Sequence, residues 1–200
     1  MNSSNDPAAD FFCRMRPALA GLFCAVLTLL FGFGLGVVFG ANEDAIKSRL
    51  KASATEVRTS VYRDDDATIK AALDKSWTYV QRAHLHAGGL GATAVALILV
   101  TVLLGSRAGW TRAISLGLGI GGLGYSVYWL WAAFRLPPLG NSSLAKESLE
   151  WLAMPSSGAF VLSTVAVAGL LIAAMRRKTD VKPAGVAIKT DEPTVVLKDT

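Results

Sequence analysis

The sequence is poor in the residues on which most enzyme chemistry depends. Its 200 residues include two cysteines and two histidines. They contain no CxxC pair, no Ser-His-Asp or Cys-His arrangement and no phosphate-binding loop. Cys13 and Cys24 lie on one predicted helix, where they cannot bridge to each other, and are interpreted as packing residues. We therefore do not expect this chain alone to be an enzyme.

Charge is missing from four long apolar stretches. The chain is 52% hydrophobic, with a mean hydropathy of +0.42, and residues 17–42, 83–106, 113–134 and 151–175 carry no Asp, Glu, Lys or Arg. A helix of about 20 apolar residues crosses a bilayer, and in lipid the backbone must satisfy its own hydrogen bonds. The sequence predicts an all-α polytopic membrane protein, a bundle of four transmembrane helices.

The remaining segments are assigned from these four spans. The first span could alternatively be a signal peptide, but its apolar run is longer than the usual core of about 7–15 residues. The predicted segments are a cytoplasmic head (1–16), TM1 (17–40), an outer-face helical hairpin (41–86), TM2 (87–105), a cytoplasmic turn (106–112), TM3 (113–133), an outer-face loop with a short interfacial helix (134–156), TM4 (157–175) and a disordered cytoplasmic tail (176–200).

The hairpin is predicted because residues 41–86 contain neither proline nor glycine and repeat apolar residues at helical spacing. Asp66 is the predicted N-cap of its second arm. In the last outer-face loop, Pro137-Pro138-Leu139-Gly140 predicts a rigid turn. A short helix is expected to begin near Ser143.

Basic residues indicate the orientation. On the opposite side of the membrane, only Arg82 and Arg135 lie within a few residues of a span end. Seven basic residues do so on the side that holds both termini: Arg14, Arg16, Arg107, Arg112, Arg176, Arg177 and Lys178. The positive-inside rule then places both termini in the cytoplasm, and a bacterial inner membrane is the expected location. Because the basic residues flank spans and form no aromatic-interleaved patch, the net charge of +5 does not indicate nucleic-acid binding.

Small residues recur every fourth position in three spans. Small residues let helix backbones approach closely in lipid. They are expected to pack the bundle itself or to form a docking face for a membrane-protein partner or a second copy. The Gly117–Gly122 stretch also matches GxGxxG, but it lies in a membrane span without the strand that a dinucleotide site requires. The predicted packing residues are Gly32, Gly36, Gly40, Gly88, Ala92, Ala96, Gly117 and Gly121.

The two histidines, His84 and His86, stand where the second arm of the hairpin enters TM2. Imidazole is a common metal and haem ligand. On a continuous helix, residues two apart point roughly 200° from each other and cannot hold one metal together. A helix break at Gly88-Gly89 would remove that limit. The alternatives are a haem b or copper site, a site for another ligand such as a quinone head group, or interfacial histidines that bond to backbone or lipid.

The Ala83-His84-Leu85-His86 segment resembles the Ala-His-x-His start of a helix in some subunits related to haem–copper oxidases. The resemblance covers about ten residues, followed by glycines and an apolar span. In that family, further histidines on other helices complete the metal sites. This chain has no further histidine, so a bound haem would need its second ligand from another residue type, a second copy or another protein.

These observations leave three functional hypotheses. The leading one is a non-enzymatic membrane protein that is an accessory subunit of a larger membrane complex or associates with itself. The alternative is a haem- or copper-binding redox protein that uses His84, with or without His86. A small transporter or channel is disfavoured, because ion and proton pathways usually need ionisable groups inside the spans.

Overall fold

The computed structural model describes residues 7–176, and this part of the chain is almost entirely helical. Four of its helices are long and apolar enough to cross a membrane. This confirms the predicted fold class, and the chain is an integral membrane protein. The elements are α1 (Pro7–Met15), a 3-10 turn (Arg16–Ala18), α2 (Leu19–Glu56), α3 (Arg58–Tyr62), α4 (Asp66–Leu103), α5 (Ala108–Leu139), α6 (Ser142–Glu147) and α7 (Glu150–Arg176).

Helix α5 is the centre of the bundle because its glycines let three other helices approach. A side chain at Gly119 would collide with Gly21 of α2, and one at Gly121 would lie 2.7 Å from the Ser156 carbonyl oxygen of α7. Gly122 faces Leu90 of α4. Such close backbone approach maximises van der Waals contact, which drives helix association in lipid.

The predicted hairpin is formed by the extensions of α2 and α4. Helix α2 bends at Asn42, whose φ of −138° and ψ of 29° lie outside the helical region. The chain then reverses through Arg63 and Asp64, both with positive φ. The N-cap of α4 is Asp65 rather than the predicted Asp66: its carboxylate accepts hydrogen bonds from the backbone amides of Ala67 at 2.9 Å and Thr68 at 3.3 Å.

The tip of the hairpin rests on the end of α5. The Tyr62 hydroxyl donates to the Pro137 carbonyl oxygen at 2.6 Å, and the Lys75 ammonium donates to the Ser142 hydroxyl at 3.0 Å. We refer to this end of the bundle as the hairpin side and to the end with α1 and the α4–α5 turn as the terminal side. The hairpin is thus packed against the rest of the bundle instead of projecting alone.

Two helix boundaries differ from the expected ones, the end of α5 and the start of α7. Helix α5 continues through the proline pair to Leu139, and the chain reverses at Gly140, which has a φ of +63°. The short helix α6 begins at Ser142 with Asn141 as its N-cap, in agreement with the expected start near Ser143. Helix α7 begins at Glu150 and includes Pro155. A proline disfavours a helix because it lacks the amide donor and crowds the preceding turn. The segment with Pro137 and Pro138 is nevertheless helical, and it packs beneath the hairpin tip through the Tyr62 hydroxyl.

The predicted membrane boundaries along these helices remain predictions. The predicted disordered tail lies outside the described residues, apart from Arg176, and so does the beginning of the predicted cytoplasmic head.

Candidate ligand site at the two histidines

Helix α4 is continuous from Asp66 to Leu103, so Gly88 and Gly89 do not break it. His84 and His86 therefore keep the angular separation of a regular helix and face different neighbours. His84 faces α2 and His86 faces α5. The two imidazoles do not converge on one point, and a single metal held by both is not what this geometry supports.

His84 is held against the backbone of α2. Its Nδ1 lies 2.8 Å from the Gly32 carbonyl oxygen, and its ring meets the edge of Phe39 at a centroid distance of 5.8 Å. Gly36 leaves room for the imidazole, since a side chain there would lie 3.0 Å from His84 Cε1. A carbonyl can only accept, so Nδ1 carries the proton, and a neutral ring then has its lone pair on Nε2.

A cavity of about 490 Å³ lies beside His84, in the groove between α2 and α4. The side chain of His84 is half-buried there. Aromatic and polar side chains share the wall of this cavity, as is usual for pockets that orient a small ligand. Its lining residues are Phe39, Gly40, Glu43, Trp77, Gln81, His84 and Leu85.

His86 belongs to an aromatic cluster between α4 and α5. Its ring meets Tyr125 edge-on at 5.2 Å and stacks on Trp129 at 6.0 Å. The guanidinium of Arg82 lies 4.9 Å from the centre of the Trp129 ring, within the range of a cation–π contact. These contacts account for His86 as a packing residue at the edge of the bundle.

Trp129 carries the one buried polar side-chain atom that has no hydrogen-bond partner among residues 7–176, its indole Nε1. The side chain is 8% exposed and packs edge-on against Tyr79 at 5.0 Å. An unpaired buried indole N–H costs free energy. Within this part of the chain, no group of three His, Cys, Asp or Glu side chains converges on a point that could hold a metal.

The predicted packing residues fall into two groups. Gly32 and Gly36 lie against Ala87 and His84 of α4, while Gly117 and Gly121 lie against Ser163 and Phe160 of α7. These four glycines form the first group, which packs inside the bundle. The other four predicted residues form the second group, and none of them is buried. A side chain at Gly40 or Gly88 would meet nothing within 4 Å, and Ala92 and Ala96 are exposed.

The four-residue spacing of small residues did not predict several close contacts between helices. Gly21, Gly91 and Gly119 each lie against the backbone or side chain of a neighbouring helix, although none was predicted to. The density of glycine from Gly117 to Gly124 was the available signal, since glycines at successive angles around one helix suit a helix with neighbours on several sides. Phe39 and Trp77 were also missed as walls of the His84 cavity, because their meeting depends on the register between α2 and α4.

Comparisons with family models, with curated proteins and with solved structures found no match to this chain.

Proposed function

We propose that this integral membrane protein is non-enzymatic and associates with another transmembrane helix, in a larger membrane complex or in a second copy. The association face consists of Gly88, Ala92 and Ala96 on α4. The observation that supports it is that Ala92 and Ala96 are exposed, and that a side chain at the half-buried Gly88 would meet nothing within 4 Å. Large side chains occupy many other outward positions, such as Phe33 at 62% and Leu162 at 71% exposure.

The physical reason lies in how helices associate in lipid. Acyl chains solvate leucine and phenylalanine well, so a large apolar residue needs no protein neighbour. A row of small residues instead permits a second backbone to approach closely, and dispersion contacts accumulate along it. Thr93 lies exposed beside this row, and its hydroxyl adds a polar group that can bond across a helix pair.

The test is purification from the native membrane in a mild detergent, followed by cross-linking and native mass spectrometry. A double Ala92→Leu and Ala96→Leu variant should lose the partner or second copy that the unchanged protein retains. The matched control is Val161→Leu with Val165→Leu, which adds bulk to exposed positions of α7 and should retain it. A monomeric unchanged protein, or equal loss in both variants, contradicts the proposal.

A second candidate function is haem or copper binding through His84, because its geometry suits a ligand. Metal-bound histidines usually donate their other ring N–H to a carboxylate or a backbone carbonyl. His84 does so to Gly32, and its side chain also lines the cavity of about 490 Å³. Further ligands would come from another residue type, a second copy or another protein.

This candidate is tested by the absorbance spectrum and metal content of gently purified protein. A Soret band or stoichiometric copper should disappear in His84→Ala and persist in His86→Ala, because His86 faces the aromatic cluster and not the cavity. Protein without chromophore or metal, or loss in both variants, rules the candidate out. We do not propose a transporter or channel, since the four apolar runs contain no ionisable Asp, Glu, Lys or Arg.

A further inference from the structure

A cavity of about 530 Å³ lies on the terminal side of the bundle, between the start of α2 and the start of α5. Two arginines from distant parts of the sequence, Arg16 and Arg112, form its charged walls. The other walls are small or apolar: Pro17, Ala20, Ala108 and Gly109. The cavity therefore combines two cations with a nonpolar floor.

The charge of this cavity is uncompensated within residues 7–176. Neither Arg16 nor Arg112 forms an ion pair there, and no carboxylate lines the cavity. Asp10 is the acidic residue nearest to it in sequence, and its carboxylate is already bound to Arg14 at 2.7 Å. Two cations that face the same space attract an anion that can satisfy both.

The depth of the cavity in the membrane follows from the sequence. Arg16 directly precedes the charge-free run that starts at Pro17, and Arg112 directly precedes the one that starts at Ala113. By the predicted spans, both guanidinium groups stand where an apolar span meets water. That level is occupied by lipid head groups, and basic pockets between transmembrane helices there bind anionic lipids.

We propose that this cavity binds the phosphate of an anionic phospholipid between the guanidinium groups of Arg16 and Arg112. Guanidinium forms paired hydrogen bonds to phosphate oxygens, and two of them on different helices enclose one phosphodiester. Pro17 and Ala20 line the side that leads into the apolar span, where the glycerol and the first acyl carbons would lie. A soluble phosphate could form the same hydrogen bonds to the guanidinium groups, but it has no apolar part to contact Pro17 and Ala20.

The experiment measures lipid retention by the full chain, purified in detergent and studied by native mass spectrometry. Phosphatidylglycerol should be retained over phosphatidylcholine. Arg16→Gln and Arg112→Gln should each weaken that retention by about tenfold, as expected when one charged hydrogen-bonding partner is lost. Gly109→Leu should also weaken it, because a side chain there meets nothing within 4 Å and would fill the cavity without removing charge.

The matched controls are Arg107→Gln and Arg176→Gln, which remove charge from the same side of the bundle but not from the cavity. They should leave retention unchanged. Equal weakening by the controls would show diffuse attraction instead of a site and would overturn the proposal. So would displacement of the lipid by equimolar inorganic phosphate or glycerol phosphate, or equal retention of the two phospholipids. Helicity by circular dichroism verifies that each variant remains folded.

Discussion

The imidazole of His84 is bound to the backbone of Gly32 across the contact between α2 and α4, with 2.8 Å between Nδ1 and the carbonyl oxygen. This bond joins the two helices where they leave the apolar part of the bundle for the hairpin. Gly36 makes it possible, since it leaves space for the ring one turn further along α2. The bond sets the register of the helices and the tautomer of the histidine at once.

The first prediction concerns this tautomer. His84 should be protonated on Nδ1 and unprotonated on Nε2 when neutral, because its hydrogen-bond partner is an acceptor only. Nitrogen-15 NMR of histidine-labelled protein distinguishes the two ring nitrogens. Gly36→Ala should produce a mixture of tautomers, as the new Cβ would lie 3.0 Å from His84 Cε1 and displace the ring. A pure Nε2–H form in the unchanged protein would contradict the structure.

The contact between α2 and α5 should tolerate no added side chain. Gly119→Ala would place a Cβ 2.9 Å from that of Cys24 and against the Gly21 carbonyl. Overpacking of this kind should destabilise the bundle by about 1–3 kcal/mol, measured by denaturant unfolding in detergent. Gly169→Ala is the matched control, because a Cβ there meets nothing within 4 Å. Similar stabilities for the two variants would show that α2 and α5 are not in backbone contact.

Tyr62 should stabilise the hairpin tip through its hydroxyl. Tyr62→Phe keeps the ring but leaves the Pro137 carbonyl without the donor that lies 2.6 Å away. Loss of a buried hydrogen bond costs about 1–3 kcal/mol, which thermal unfolding should reveal. Tyr125→Phe removes the hydroxyl of a tyrosine that serves as an aromatic contact of His86 and should have a smaller effect. Equal effects would mean that the hairpin tip is not anchored on α5.

The N-cap of α4 should depend on pH in a definite direction. Hydrogen bonds from the Thr68 hydroxyl and from the Thr68 and Ala67 amides lower the pKa of Asp65 from its ordinary 3.8. Its stabilising effect is therefore complete above pH 3.8 and is lost as the pH falls through the lowered pKa. Amide exchange at the start of α4 measures it.

Asp65→Ala should expose these amides at neutral pH, whereas Asp65→Asn should protect them without the acid-dependent change, because asparagine also caps helices. Asp66→Ala is the control, since Asp66 forms an exposed ion pair with Arg58 at 2.8 Å and such pairs contribute little. Faster exchange in Asp66→Ala than in Asp65→Ala would contradict the structure and would identify Asp66, the residue predicted from the sequence, as the N-cap.

Local patterns were enough to predict the four spans and the hairpin. Hydropathy and helical periodicity depend on residues near one another in the chain, and lipid forces each apolar run to be helical. The opposite directions of His84 and His86 followed in the same way, from the 3.6-residue turn alone. The N-cap and the proline pair were placed less well, since a run of three aspartates and a Pro-Pro pair each permit several helix ends.

The tertiary structure decided how these helices meet. The same small-residue spacing occurs in α2, α4 and α5, yet Gly32 faces a neighbour while Ala92 and Ala96 face outward. Nothing in the spacing distinguishes them, because which face is covered depends on the rotation and register of whole helices. The His84 bond to Gly32 and the cavity lined by both Arg16 and Arg112 are of the same kind. Each joins residues far apart in sequence, and packing between helices brings them together.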